Sequence, residues 1–206
     1  MTISPCKNGA VERRAIRRMV AASVFGAAAL VVLCALASAA FGQAPVSAYD
    51  VESAYLLNFG KFVRFASSQP ETQRESFDIC VVGEDRLGAT LNDLTANEKL
   101  DGKPVRVVRL KAAAEARDCA IAYISASEGS RMEADLEALR GRPVLTVSDA
   151  GDFLKRGGMI QLIVAGNHVR FAVNLSAVEG ARLSLSSELL RVAVSVNGEP
   201  PAGVRP

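Results

Sequence analysis

The chain of 206 residues has one histidine, no tryptophan and four cysteines. With His168 as the single imidazole, only one histidine could serve as base for a hydroxyl nucleophile. The serines at 125, 127, 130 and 148 follow strand-like runs, yet none lies in the GxSxG elbow of a hydrolase. Two distant cysteines and one histidine do not supply the spaced ligands of a zinc site. After the first strand-like run the sequence reads VVGEDRLG, without GxGxxG and without the GK[ST] of a phosphate loop. Glu84 and Asp85 there would also repel phosphate. Asp149 and Asp152 are a carboxylate pair after another strand, but solvated turn aspartates are the commoner outcome. No cofactor and no metal is implied, and no catalytic constellation emerges. The chain speaks for binding or regulation rather than for an enzyme.

A strong excess of either charge is also missing, the formal net charge being +2. What excess there is sits at the start, where Lys7, Arg13, Arg14, Arg17 and Arg18 face a single Glu12. An almost uncharged apolar run, 19–36, follows, and then the small-residue cluster 35–40. That order is the secretory signal pattern, with Ala37-Ser38-Ala39 as a small-x-small cleavage site. An uncleaved anchor is the alternative, since the run is nearly long enough to span a bilayer. Removal of residues 1–39 leaves a slightly acidic chain, which speaks against nucleic acid, whose phosphates need clustered cations. No later segment is apolar for long enough to cross a membrane. The expected organisation is a signal peptide at 1–39, a linker at 40–47, one domain at 48–196 and a disordered Pro/Gly-rich tail at 197–206. The expectation from this pattern is an exported domain.

What the domain does contain is a run of strand and helix patterns. The organising stretch is GGMIQLIVAGNHVRFAVNL, 157–175. Its two β-branched and aromatic runs flank Gly166-Asn167, which suit the positive φ values of a short hairpin loop. Upstream, Phe77–Val82, Val105–Leu110, Cys119–Ser125 and Val144–Val147 read as strands. Helical patterns at 86–94, 112–117 and 127–139 alternate with them, and 149–155 is a loop or short helix. Segment 48–66 reads as an opening helix capped by Asp50, and 176–182 and 184–194 as closing helical pieces. Such alternation predicts an α/β fold. Its sheet is mixed and mostly parallel, of about six strands with helices on both faces, ending in the antiparallel hairpin.

Three sets of residues are singled out. In 48–66, Tyr55, Phe59, Phe62 and Val63 fall at helical spacing, and Leu56, Leu57 and Phe65 widen the apolar surface beyond one stripe. Tyr55, Phe59, Phe62, Phe65 and Phe153 are candidates for a partner surface, the plainer alternative being a core helix. Gly83, Ser125 and Ser148 lie at strand ends, where an α/β sheet places a ligand crevice. Cys80 and Cys119 remain after leader removal, on or beside central strands. In an oxidising compartment they are a disulfide candidate, and otherwise two buried thiols.

Five stretches then occur together in a familiar order: AYLLNFGKFVRF, FDICVVGEDRLGATL, DCAIAYISASE, GRPVLTVSDAGDFLKRGGMIQLIVAGNHVRFAVNL and SLSSELLRVA. Their joint order resembles the YfiR-like periplasmic family, over nearly all of 48–194. The resemblance implies an α/β domain, often dimeric, that restrains an inner-membrane diguanylate cyclase or another sensor by binding its periplasmic portion. Lower cyclic di-GMP and less biofilm would follow. An outer-membrane lipoprotein is implied as a second partner. Cys80 and Cys119 match the family's core disulfide, while a second pair found in some members is missing. Phe65-Ala66 stands where the family often has Trp-Pro. The competing expectation is a periplasmic small-molecule binder using the Gly83, Ser125 and Ser148 crevice.

Overall fold

The computed structural model describes residues 47–65, 74–166 and 168–196. They fall within one compact unit, Val46–Pro206. The expected leader, nearly all of the linker, the tail and Asn167 of the hairpin loop lie outside the described residues. Among the described residues no helix is long and apolar enough to cross a membrane.

Runs rich in β-branched and aromatic residues become strands. These are β1 (Val63–Phe65), β2 (Phe77–Val82), β3 (Lys99–Leu100), β4 (Lys103–Leu110), β5 (Ile121–Ile124) and β6 (Leu145–Ser148). They continue with β7 (Ile160–Ala165), β8 (His168–Val173), β9 (Leu183–Leu185) and β10 (Ser195–Val196). The α-helices are α1 (Ala48–Phe62), α2 (Gly88–Thr95), α3 (Met132–Leu139), α4 (Leu175–Gly180) and α5 (Ser187–Val192). Two 3₁₀ turns, Ala113–Asp118 and Ala126–Glu128, stand at the expected short helix 112–117 and before the start of the expected helix 127–139.

The main sheet has eight strands in the order β10-β8-β7-β6-β5-β2-β4-β3. β4, β2, β5, β6 and β7 run parallel, and β8 pairs antiparallel with β7, with Ala165 opposite His168. The mixed, mostly parallel sheet is therefore present, with two corrections. It has eight strands rather than about six, because Lys99–Leu100 and Ser195–Val196 each add a two-residue edge. The hairpin also does not end the sheet, since β10 lies parallel outside β8.

The ends of the helical segments differ as well. α1 stops at Phe62, and Val63–Phe65 pairs antiparallel with Leu183–Leu185 in a separate two-stranded sheet. Valine and phenylalanine favour extended backbone, and the partner strand consumes part of a segment expected to be helical. The cap of α1 is Ser47: its Oγ accepts from the Asp50 N–H, while Asp50 accepts from the Ser47 N–H. Asp50 is thus the third helical residue of a capping box and not the cap itself.

Alternation along the strands separates two cores. Phe77, Ile79, Val81, Ile121, Tyr123, Ile160 and Leu162 join one cluster; Cys80, Val82, Ala122, Ile124 and Ile163 join the other. Taken in chain order the five parallel strands have the doubly wound 2-1-3-4-5 arrangement. The β2-to-β4 connection runs through α2 on the first face. The connections through Ala113–Asp118, α3 and the loop with Phe153 and Leu154 run on the second. Right-handed crossovers in opposite directions require this segregation. It leaves the first face bare over β5–β8, and α1 covers it together with α4 and α5.

Candidate functional site

In a 2-1-3-4-5 sheet the ligand crevice lies where winding reverses, at the carboxyl ends of β2 and β5 here. The structure fills that crevice with its own side chains. Gly83 has φ +87°, and a Cβ on it would come within 2.8 Å of Ser127 Oγ and Glu128 Oε1. Only glycine suits both constraints. The Glu84 N–H donates to Ser127 Oγ at 2.9 Å, and the Ala126 N–H donates to Asp149 Oδ1 at 2.7 Å. Ser125 and Ser148 are fully buried. Their hydroxyls accept from the Ser127 and Ala150 N–H groups, so both act as local caps. The three expected crevice residues do converge at one end of the sheet; the Ser125 and Ser148 side chains are buried there, and Gly83 offers only exposed backbone.

The first turns of α1 close the crevice from above. Glu52 is 1% exposed and Tyr123, on β5 beneath it, is fully buried. The Tyr123 hydroxyl lies a long 3.5 Å from Glu52 Oε2. Burial pushes the Glu52 carboxyl up to about 7, and the like charge of Asp149 adds to the shift, against the Tyr123 hydroxyl and Arg86. Burial, followed by Asp149 and Glu52, raises the Tyr123 phenol well above its usual range. Arg86 reaches over the rim: Nη1 donates to the Tyr49 hydroxyl at 3.2 Å, and Nε and Nη2 donate to Glu84. A carboxylate without a cation in contact, under a helix, is costly in its charged form.

Sequence reasoning passed over this cluster, although a signal was present. Glu52, Leu56, Phe59 and Val63 share one helical face by their spacing of four, three and four, so Glu52 had to enter the core beside them.

The aromatic set is distributed differently from the partner surface expected. Phe59 and Phe153 are fully buried, in opposite cores, so neither can meet a partner. Phe59 packs edge-on against Phe171, and the Phe153 ring lies where a Cβ on Gly158 would be, 2.3 Å away. Tyr55, Phe62 and Phe65 are half-buried against the first core. The Tyr55 hydroxyl donates to the Val169 carbonyl at 3.1 Å and covers part of the outer edge of β8. The physical reason is topological, because α1 closes a face that no crossover helix reaches. The large apolar side chains that remain exposed among the described residues are Leu94, Val164 and Val192.

Cys80 and Cys119 form a disulfide, both ends buried, with Cα atoms 6.1 Å apart. It ties β2 to the approach of β5 on the second face. In the chain-entropy picture a closed loop of 39 residues adds about 4 kcal/mol.

The fold and the filled crevice thus define a doubly wound α/β domain braced by one disulfide, with its switch point occupied from within. The chain belongs to the DUF4154 family, described as YfiR/HmsC-like, whose model matches residues 49–194. The family is periplasmic and suggests a regulator of diguanylate cyclase; an oxidising compartment fits the disulfide. A conserved domain protein of Vibrio cholerae O1 biovar El Tor has a similar fold, at TM-score 0.50 and 13% identity. The alignment covers 73% of this chain and 60% of that one, so this chain spans little more than half of that protein. An ABC domain from Streptococcus pneumonia, solved with L-Trp, aligns at TM-score 0.44 and 9% identity over 58% of this chain and 54% of that one. The last likeness is too slight to define a shared fold. No curated protein matches.

Proposed function

We propose that this protein is an exported periplasmic regulator that binds and restrains the periplasmic sensor portion of an inner-membrane signalling protein, a diguanylate cyclase in the first instance. It lowers cyclic di-GMP and biofilm formation in this role. The observation that carries the proposal is the family match across 49–194, which spans nearly all of the described body. The disulfide and the cleavable-leader pattern at 1–39 support export. The domain boundaries, 48–196 with a tail at 197–206, belong to the same proposal. Regulation here means mass action: the bound form stabilises an inactive receptor state by its differential affinity for that state. Homodimer formation and capture by an outer-membrane lipoprotein are the finer parts of the proposal. Of the expected partner residues, Tyr55, Phe62 and Phe65 keep exposed area, and Tyr55 and Phe62 share one helical face at a spacing of seven.

The small-molecule alternative gains nothing from Gly83, Ser125 and Ser148, whose neighbours fill the crevice.

Deletion of the gene, with cyclic di-GMP and surface attachment assayed, tests the proposal. Both rise on deletion and return with an exported copy, but not with a copy lacking 1–39. No change in either quantity overturns the cyclase assignment.

A further inference from the structure

The buried carboxylate under α1 has no role in the proposal above, and its surroundings are unusual. Glu52 faces Tyr123 from β5 and Asp149 from the loop after β6, and Tyr49 of its own helix acts on Tyr123. Arg86 and Glu84 approach from the loop after β2, and α2 brings the uncharged Thr90, bonded to Asp50 at 2.6 Å. The single cation of this set is already committed, with Glu84 and the Tyr49 hydroxyl as its partners. The ionised form of Glu52 therefore meets one distant hydroxyl, one like charge and the weaker field of an Arg86 already paired elsewhere.

We propose that residues 47–53 at the start of α1 form a proton-gated plug over the crevice at the ends of β2 and β5. The plug is docked while Glu52 carries its proton, and it swings out when that proton is lost.

The helix is built for bending at this place. Leu56, Phe59 and Val63 are fully buried and hold the lower turns. Ala48, Tyr49, Asp50 and Val51 are only half-buried. Tyr49 and Asp50 make polar contacts that water can replace, to Arg86 and Thr90, while Ala48 and Val51 line a small recess with Val164, His168 and Val169. Between the two parts, the Ser53 hydroxyl donates to the Tyr49 carbonyl at 2.8 Å. Such back-bonding to the preceding turn eases a helix bend. Outward movement hydrates the Glu52 carboxylate without disturbing either core, and it uncovers Tyr123 and Asp149 at the switch point.

The direction in pH follows from the carboxyl being raised from 4.5 to about 7 when docked. Below 4.5 both forms are protonated and the plug is fully docked. Between 4.5 and 7 docking weakens progressively, and above 7 it levels off. Opening therefore rises about 30-fold between pH 5.5 and 8.

Hydrogen exchange by mass spectrometry, corrected for the intrinsic pH dependence of exchange, reads this directly on protein purified after expression of the full chain. In the wild type, peptides covering 48–54 lose protection by that factor from pH 5.5 to 8, while peptides of β7 and β8 do not change. Glu52→Gln, which mimics the protonated group, keeps the segment protected throughout. Asp149→Asn moves the midpoint to lower pH and reduces the rise. Protection of 48–54 that ignores pH in the wild type overturns the plug, as does an unchanged rise in Glu52→Gln. No partner enters the measurement, so it stands or falls independently of the regulator assignment.

Discussion

The two faces of the sheet are covered in opposite ways. On the first, α1, 15 residues long, lays Tyr55 and Phe59 against Phe171 and closes the core by apolar packing. On the second, short turns, an eight-residue α3 and the Phe153 loop supply the cover, and a disulfide crosses beneath them. The packed face gains its stability from area removed from water, so it has room for one costly group, the Glu52 carboxyl. The stapled face has shorter elements, which are marginal alone, and the covalent bond offsets this by restricting the unfolded chain.

The contrast can be broken from either side. The largest effect is expected from Phe59→Ala on the packed face. It removes a fully buried ring held between Tyr55 and Phe171, and urea unfolding should show a loss of about 3–5 kcal/mol. On the stapled face, Cys80→Ala should lose about 2–4 kcal/mol under oxidising conditions. A reductant should lower the wild type and Phe59→Ala by about the same increment, since both keep the bridge, and leave Cys80→Ala unchanged. A Cys80→Ala variant that still loses stability in reductant would erase the distinction.

Glu52→Gln sharpens it through pH. The wild type contains a carboxyl raised from 4.5 to about 7; its stability is highest below the unfolded value and falls as pH rises through 7. The variant should be more stable by about 2–3 kcal/mol at pH 8, with the gain vanishing near pH 4.5. Thermal melts across that range check this, and a constant offset would remove the carboxyl as the cause. The smallest effect belongs to Ser47→Ala, which takes away the capping box of α1 and should cost about 1 kcal/mol in the same melts.

Legibility varied with the range of the interaction. The parallel strands were readable from β-branched runs such as Phe77–Val82 and Ile160–Ala165, because both faces of such strands are apolar. The loop glycine before Asn167 was readable too, and Gly166 has φ +60°. The short edges were not, since Lys99–Leu100 and Ser195–Val196 have no pattern of their own and form only where a neighbour offers backbone groups. Val63–Phe65 read as helix because Val63 continued the helical spacing of Tyr55, Phe59 and Phe62, and its partner, Leu183–Leu185, lies more than a hundred residues away. Gly83, Ser125 and Ser148 lie at one end of the sheet, as strand ends do. That Ser125 and Ser148 are buried there while Gly83 stays exposed depends on loops that no single segment specifies.

Sequence by itself determined the alternation that sorts Cys80 from Ile79 and Val81, the α/β class, and the family whose motifs run from Ala54 to Ala193. These are local periodicities and residue types, carried by each segment without reference to the rest. Only the tertiary structure decided that α1 is a covering helix and not a free surface, since this follows from which face the crossovers leave open. It alone also brought Glu52, Tyr123 and Asp149 together, because the burial of a charge is a property of everything packed around it.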